Sequence, residues 1–376
     1  MHEYLTAEIF PSAIAENLAM IRRRLSPGVR LCAVVKADGY GLGVEGLLEA
    51  VARSADQLAV AAPVEAVQLR RLGYQGEVLV FFSPCAWADA AANREALEEL
   101  IRLGVTLTAV SAEEVAAIAE AAGRAGAPAQ VHIKIDSGMG RSGVLPDAAP
   151  EIVAKVRSAE GLRLTGLYTH FATADEPDKA WAREQLKRFR GVAEAVGGRG
   201  QLLLHAANSA AAIDLPESHL DMVRVGLAMY GYQPAERMEN PVPLRPALRV
   251  WGRLMLVKRL PAGAGVGYGL TCTLKRPSVV GLAPVGYADG YFRSLSNRAT
   301  MRVRGADAPV LGRVSMDQVV IDLTDAPPVS AGEPVEVISR DPSAPHSVEN
   351  LARLAGTIPY EITCRLGPRA KRILVS

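Results

Sequence analysis

Short apolar runs alternate with alanine-rich segments between residues 12 and 230 of the chain. Segments such as residues 111–126 and 180–196 carry their apolar side chains at helical spacing. Eight of the short apolar runs, several of them rich in β-branched residues, predict strands. Eight strands separated by helices favour a closed (β/α)8 barrel over an open doubly wound sheet. The predicted strands are residues 31–35, 57–61, 78–82, 105–110, 131–135, 163–169, 201–205 and 222–226.

The pattern changes after a proline-rich stretch at residues 234–246, which predicts a linker. The segments beyond it are β-rich, separated by Gly and Pro turns, with one predicted helix around residues 347–356. We therefore expect a barrel domain over residues 11–234 and a C-terminal all-β domain over residues 235–376. Residues 1–10 are expected to pack on the second domain.

Charge and cysteine content exclude several classes of function. The chain has 42 basic and 40 acidic residues, a net charge of +2, so nucleic-acid binding has no support. Its four cysteines are far apart and have no metal or redox spacing, which is typical of a reducing compartment. The N-terminus is too polar for a signal peptide, and no apolar run is long enough to span a membrane. We expect a cytoplasmic protein without a membrane partner. The cysteines are Cys32, Cys85, Cys272 and Cys364.

Polar side chains stand at or just after the ends of several predicted barrel strands. A lone lysine at a strand end usually extends into solvent. The active-site groups of a barrel, however, come from the carboxyl ends of its strands, so several such residues together indicate a site. The residues in question are Lys36, Lys134, Arg141, His170, His205, Ser209 and Arg224.

Together, these residue types are suited to one kind of chemistry. A desolvated lysine among other cations favours its neutral amine, which suits a covalent bond with a carbonyl cofactor. Pyridoxal phosphate (PLP) needs such a lysine, a phosphate cradle and a partner for its ring nitrogen. Lys36 provides the amine, Arg224 a side chain inside the barrel, and Ser209 with the backbone N–H groups of Gly226 and Leu227 a set of phosphate donors.

Nine segments carry a resemblance to the alanine racemases, PLP enzymes that join a (β/α)8 barrel to a C-terminal β domain. They follow one another in the family's order and cover nearly the whole chain. The resemblance implies a homodimeric racemase that acts on a small amino acid, L- or D-alanine, at sites shared between the two subunits. The segments are residues 33–41, 131–143, 168–175, 205–211, 223–231, 266–274, 284–293, 312–318 and 358–362.

The resemblance also implies roles for individual residues. Lys36 holds PLP covalently and acts as one base at Cα, and Tyr268 of the second subunit acts as the other on the opposite face. Arg224 donates to the pyridine nitrogen and leaves it unprotonated, because arginine does not readily release a proton. His170 is implied to bond near Arg224 and to set the proton affinity of Tyr268. Arg141 is similar to the arginine that binds the substrate carboxylate.

Further positions follow from the same resemblance. Lys134 matches a lysine that many members carry as a carbamate. Met316 and Asp317 match residues that the partner subunit places near the substrate. The phosphate-binding positions are Tyr40, Ser209, Gly226, Leu227 and Tyr360. The positions that line the substrate access channel are Tyr287, Arg293, Arg313 and Asp175.

The chain departs from the family pattern beside its proposed lysine. Gly39 replaces an alanine and Leu42 a histidine. Gly39 is expected to loosen the backbone next to Tyr40, which leaves a serine or broad-specificity amino-acid racemase open as an alternative. Two more distant alternatives are a barrel-type PLP decarboxylase, whose Gly-Gly-Gly and Glu-Pro-Gly-Arg segments do not occur here, and a single-barrel PLP-binding protein, which has no β domain. A role in peptidoglycan precursor supply or in catabolism stays open.

Overall fold

The computed structural model describes residues 4–83 and 91–375, and Cys85 lies outside them. The fold begins with strand β1 (Leu5–Ile9) and helix α1 (Pro11–Arg22). The next eight strands pair in parallel in the order β4-β3-β2-β9-β8-β7-β6-β5. These strands are β2 (Arg30–Val34), β3 (Gln57–Val60), β4 (Val78–Val80), β5 (Leu107–Ala109), β6 (Ala129–Lys134), β7 (Leu162–Tyr168), β8 (Leu203–His205) and β9 (Met222–Val225).

Thr106 joins the two end strands of this sheet. Its N–H donates to the Val78 carbonyl (2.8 Å), and its carbonyl accepts from the N–H of Val80 (3.0 Å), so the sheet closes into a barrel. The predicted (β/α)8 barrel is therefore confirmed. Its connections are the single turn α2 (Lys36–Tyr40) and the helices α3 (Val44–Ser54), α4 (Pro63–Arg71), α5 (Ala91–Arg102), α6 (Ala112–Ala125), α7 (Ala149–Ser158), α8 (Ala180–Ala195) and α9 (Ser209–Asp214).

Helix α6 illustrates how the sequence specifies these connections. The Ser111 hydroxyl accepts the N–H of Glu114 at the first turn, and Gly126 ends the helix in the left-handed conformation at φ 66°. Val115 and Ile118 lie on its buried face. No helix in the described ranges is both long and apolar enough to cross a membrane.

Strands β10 to β19 follow the barrel. Nine strands form one sheet in the order β11-β14-β17-β16-β15-β18-β10-β1-β19, and β12 and β13 form a separate hairpin. The N-terminal β1 pairs antiparallel with β10 and parallel with β19, so it belongs to the C-terminal sheet. The bounds are β10 (Leu248–Arg253), β11 (Leu256–Leu260), β12 (Gly265–Val266), β13 (Cys272–Thr273), β14 (Ser278–Ala283), β15 (Thr300–Val303), β16 (Ala306–Leu311), β17 (Val319–Asp322), β18 (Pro334–Ile338) and β19 (Lys371–Leu374).

Two helices, rather than the one predicted, accompany this sheet: α10 (Val348–Ala355) and α11 (Pro359–Cys364). The second was missed because it has only six residues, although Pro359 at its first position is a helix-start signal. Helix α11 places the Tyr360 ring 5.8 Å from the Tyr40 ring, so the C-terminal domain contacts the barrel beside the end of β2.

Asn17 fixes the linker to the barrel. Its side-chain amide donates to the carbonyls of Met229 (3.0 Å) and Arg245 (2.9 Å), and its Oδ1 accepts from the N–H of Arg245 (2.8 Å). Because Asn17 is fully buried on α1, the end of the proline-rich linker is held against the first barrel helix.

Candidate active site

A cavity of about 510 Å³ opens at the carboxyl ends of the barrel strands. Nine of the residues singled out in the sequence line it together. They are Lys36, Tyr40, Lys134, Arg141, His170, Ser209, Arg224, Gly226 and Tyr360. The other lining residues are Val34, Ala61, Phe81, Phe82, Ser83, Ser142, Tyr168 and Asn208.

A left-handed turn follows Lys36. The backbone φ angles of its five residues lie between 53° and 83°. Hydrogen bonds from Gly39 N–H to the Val35 carbonyl (2.9 Å) and from Gly41 N–H to the Ala37 carbonyl (2.8 Å) close it. A left-handed conformation costs about 1–2 kcal/mol for each residue that has a side chain. The turn is Ala37, Asp38, Gly39, Tyr40 and Gly41.

Gly39 and Leu42, the two departures from the family pattern, have clear structural roles in this turn. Gly39 adopts φ 63° without the penalty of a side chain, so it lowers the strain of a fixed turn rather than loosening it. Leu42 is 1% exposed and belongs to the hydrophobic core. The turn brings Lys36 and Tyr40 to the wall of the same cavity.

Tyr40 lies in an aromatic cluster against Gly226. Its ring centroid is 4.8 Å from that of Tyr230, and a Cβ at Gly226 would lie only 2.3 Å from the Tyr40 hydroxyl. The absence of a side chain at Gly226 thus allows this close approach. The Gly226 N–H donates to the Ser209 hydroxyl (2.9 Å). Burial raises the pKa of Tyr40, so its hydroxyl remains a donor at neutral pH. Leu227 begins the next turn and is buried behind the cavity wall.

The Arg224 guanidinium is buried inside the barrel and held by four acceptors. Nη1 donates to His205 Nδ1 (2.9 Å), and Nη2 donates to the carbonyls of Thr169 (2.7 Å) and Ala206 (2.9 Å). Nη2 also lies 3.3 Å from His170 Nδ1. All of these bonds use terminal nitrogens, and within the described chain Nε makes no hydrogen bond. Nε therefore remains available to a ligand.

The cavity concentrates positive charge. No Asp or Glu stands among the described residues that line it. Burial, followed by the Arg141 charge, lowers the pKa of Lys36. The same two causes, with a further contribution from Arg224, lower the pKa of Lys134 to about 8. The site thus favours neutral amines and attracts an anionic ligand.

Asp136 positions the loop that carries Arg141. Its carboxylate accepts four consecutive backbone N–H groups, from Gly138 to Arg141, at 2.8–3.1 Å. The bonds fix the loop after β6 so that Arg141 lines the cavity. The same four backbone bonds lower the pKa of Asp136, although burial opposes them.

Seven other predicted residues do not line the cavity of their own chain. Tyr268, on the turn between β12 and β13, is 71% exposed, and Met316 is 52% exposed. Met316 accepts the N–H of Ala288 (3.0 Å) next to Tyr287, so these loops adjoin. Asp317 forms an ion pair with Arg369 (2.6 Å). The seven are Tyr268, Tyr287, Arg293, Arg313, Met316, Asp317 and Asp175.

Three residues of the site were missed in the sequence. Tyr168, at the end of β7, has its ring 5.9 Å from Lys134 Nζ and 5.4 Å from the Arg224 guanidinium. His132 on β6 bonds to His205 in the barrel core, and Glu65 on α4 bonds to the turn after Lys36. Of the three, only Glu65 stands in a recognisable sequence pattern, because a proline followed two residues later by a glutamate, as at Pro63, is typical of a helix start.

Comparison with known proteins gives one consistent result. The model of the alanine racemase N-terminal domain matches residues 9–234, and that of the alanine racemase C-terminal domain matches residues 247–374. The alanine racemase of Desulfovibrio desulfuricans is 40% identical over 374 residues, which are 98% of this chain and 97% of that protein. The alanine racemase of Methanococcus maripaludis is 37% identical over 372 residues, 98% and 97% of the two chains.

Solved structures agree. An alanine racemase from a D-cycloserine-producing Streptomyces lavendulae superposes with a TM-score of 0.92 at 34% identity, covering 100% of this chain and 98% of its own. The alanine racemase of Streptomyces coelicolor gives a TM-score of 0.91 at 36% identity, with coverage of 99% and 98%.

Proposed function

The chain belongs to the alanine racemase family, and from that premise we propose how its residues interconvert L-alanine and D-alanine. Alanine racemases are PLP-dependent enzymes. In our proposal Lys36 holds PLP and transfers a proton on one face of the substrate, and Tyr268 of the partner subunit transfers a proton on the other. The observation that carries the proposal is a depressed lysine pKa at the mouth of a barrel lined by further cations.

The cavity fits PLP in charge and in shape. Arg141 and Arg224 give the cavity the positive charge that a phosphate and a substrate carboxylate require. The hydroxyls of Tyr40 and Ser209 converge at Gly226, where a side chain would fill the space, so they form a compact set of phosphate donors. Arg224 Nε is the donor left for the ring nitrogen. When bound, the cofactor withdraws electrons from Cα and so makes its proton removable.

Lys36 is suited to move a proton because its surroundings stabilise the neutral amine relative to the ammonium form. Burial lowers its pKa, and the Arg141 charge lowers it further, so the neutral amine that can accept a proton is more populated than in a free lysine. Arg141 binds the substrate carboxylate and keeps Cα next to Lys36. Arg224 retains its own proton at neutral pH, although burial lowers its pKa to about 10.

Tyr268 requires a second copy of the chain. It is 71% exposed and does not line the cavity of its own chain, so in our proposal the homodimer brings it to the opposite face of the substrate. The exposed apolar side chains of Leu270 (66%) and Met316 (52%) lie on the same domain, as expected of a surface that a partner covers. Asp317 joins this surface, and the access route is lined by Tyr287, Arg293, Arg313 and Asp175.

Lys134 and His170 support Arg141 and Arg224. A neutral Lys134 amine reacts with CO2 to give a carbamate and a proton, and its pKa of about 8 leaves a larger neutral fraction at neutral pH than a free lysine has. The resulting anion holds the Arg141 guanidinium. Native mass spectrometry that finds only unmodified Lys134 in active enzyme would remove this step. Burial lowers the pKa of His170, so it accepts from Arg224 as a neutral imidazole.

The experiment that tests the proposal is a panel of L-amino acids, each incubated with the PLP-loaded protein and assayed for the D-product. Alanine is expected to give the highest kcat/KM. Equal or higher kcat/KM for serine would support the broad-specificity alternative, since one hydroxyl changes binding by only a few kcal/mol. A panel without any D-product would overturn the proposal.

A further inference from the structure

The left-handed turn after Lys36 is anchored by an acidic residue from another part of the chain. Glu65 lies in the first turn of α4, 28 residues further on. Its Oε1 accepts the N–H of Ala37 at 2.5 Å, and its Oε2 accepts the N–H groups of Ala61 and Ala62 at 2.8 Å each. One carboxylate therefore joins the residue after Lys36 to the end of β3.

The opposite end of the turn is held by the C-terminal domain. Arg372 Nη2 donates to the Gly41 carbonyl at 2.9 Å. A Cβ at Gly41 would lie 2.3 Å from the Thr363 carbonyl oxygen, so this end also packs directly against α11. The turn is therefore held at one end by Glu65 and at the other by Arg372 and α11.

An ordinary helix cap does not explain this geometry. A glutamate in the first turn caps a helix by accepting N–H groups just before it, which Oε2 of Glu65 does. Glu114 has the same position in α6 and accepts the N–H of Val110 (2.6 Å), one residue before its own N-cap. The second oxygen of Glu65 instead bonds to a strained turn on a different strand.

We propose that Glu65 is a positioning residue, which clamps the backbone of Ala37 and so directs the Lys36 amine into the cavity. The proposal rests on the function proposed above, in which Lys36 holds PLP. Glu65 does not line the cavity, and its carboxylate acts mainly through the backbone N–H that follows Lys36. Its charge also raises the pKa of Lys36, but less than burial and Arg141 lower it.

The test compares Glu65→Gln and Glu65→Asp with the matched cap variant Glu114→Gln in the holoenzyme. A glutamine side chain has one oxygen acceptor, so it cannot accept from Ala37 and from Ala61 and Ala62 with two separate oxygens. Glu65→Gln is therefore expected to weaken PLP binding and to lower kcat about tenfold or more. The KM for alanine is expected to change less. Glu65→Asp keeps the charge and is expected to fall between Glu65→Gln and the wild type. The PLP dissociation constant is read from the absorbance of the lysine-bound cofactor. Glu114→Gln is expected to lower the melting temperature with unchanged PLP affinity.

Three results would overturn the proposal. The first is a Glu65→Gln protein that matches Glu114→Gln in PLP affinity and kcat. The second is an Asp variant no better than the Gln variant. The third needs no variant: amide hydrogen exchange of wild-type Ala37 as fast as that of an unbonded, exposed amide. The function proposed above is tested separately, by borohydride trapping of PLP on the wild-type enzyme followed by peptide mapping. If the trapped PLP is found on a residue other than Lys36, the proposed function is contradicted, whatever the Glu65 variants show.

Discussion

Arg224 Nη1 lies 2.9 Å from His205 Nδ1, and His205 Nε2 lies 3.0 Å from His132 Nδ1. Arginine has only donors, so His205 Nδ1 must accept. Burial lowers the pKa of His205 well below its usual range, so the ring is neutral and its single proton is on Nε2, directed at His132. The orientation of the Arg224 guanidinium therefore depends on two neutral imidazoles in the barrel core.

The variant His205→Phe tests this dependence. Phenylalanine keeps an aromatic ring next to Tyr168, on which His205 stacks at 4.9 Å, but it removes the acceptor for Arg224 and the donor for His132. A buried charged donor without a partner is expected to lower the free energy of unfolding by about 2–3 kcal/mol. Urea denaturation measures the change, and a loss below about 0.5 kcal/mol would show that Arg224 does not need this acceptor.

The buried histidines also predict a pH dependence of stability. Burial lowers the pKa of His132 from 6.5 to about 3, with smaller contributions from Arg30 and Arg224. Between these values the unfolded chain binds a proton that the folded chain does not, so stability is complete above about pH 6.5 and falls as the pH is lowered towards 3.

The variant His132→Asn isolates the contribution of one histidine. Each such histidine contributes at most about 1.4 kcal/mol per pH unit to the change of the unfolding free energy with pH. Urea unfolding at several pH values between 6.5 and 5 should give a shallower slope for the variant than for the wild type. Equal slopes would mean that His132 is protonated in the folded protein.

Gly39→Ala tests whether a residue with a side chain is strained at this position of the left-handed turn. An alanine at φ 63°, with its Cβ 3.2 Å from Leu47 Cδ1, is expected to lower the free energy of unfolding by about 1–2 kcal/mol. Gly123→Ala is the matched control. Among the described residues, no atom outside the local backbone of α6 lies within 4 Å of a Cβ at Gly123. The change is therefore expected to stabilise the protein by about 0.5–1 kcal/mol. If Gly39→Ala stabilised the protein as well, the turn would not be strained.

The shared active site predicts complementation between two inactive variants. Lys36→Ala and Tyr268→Phe each remove one proton-transfer group from every site. In a heterodimer of the two, one of the two sites has both native residues. Random mixing makes half of the dimers heterodimers, so about one quarter of the wild-type activity is expected after co-refolding. Activity no higher than that of the separate variants would contradict a site to which one subunit contributes Lys36 and the other Tyr268.

The sequence predicted those parts of the fold and site that depend on local patterns. The eight barrel strands follow from apolar runs, and eight of the nine residues on the cavity wall lie in short segments at or after strand ends. The ninth, Tyr360 on α11, was predicted from the family resemblance alone. The roles of His132 and Glu65 were not predicted because they depend on contacts with residues distant in sequence, His205 and Ala37. Helix α11 was missed because six residues give too little periodicity to distinguish a helix from a strand.

The most direct test of the two-base account is racemisation of L-alanine in D2O, with the Cα of both enantiomers analysed at low conversion. Lys36 and Tyr268 of the partner subunit act on opposite faces in this account, so the proton removed on one face is not the one delivered on the other. The D-alanine formed should carry deuterium at Cα in nearly every molecule. D-alanine that retains the substrate's own hydrogen would contradict the account, because a single group would then serve both faces.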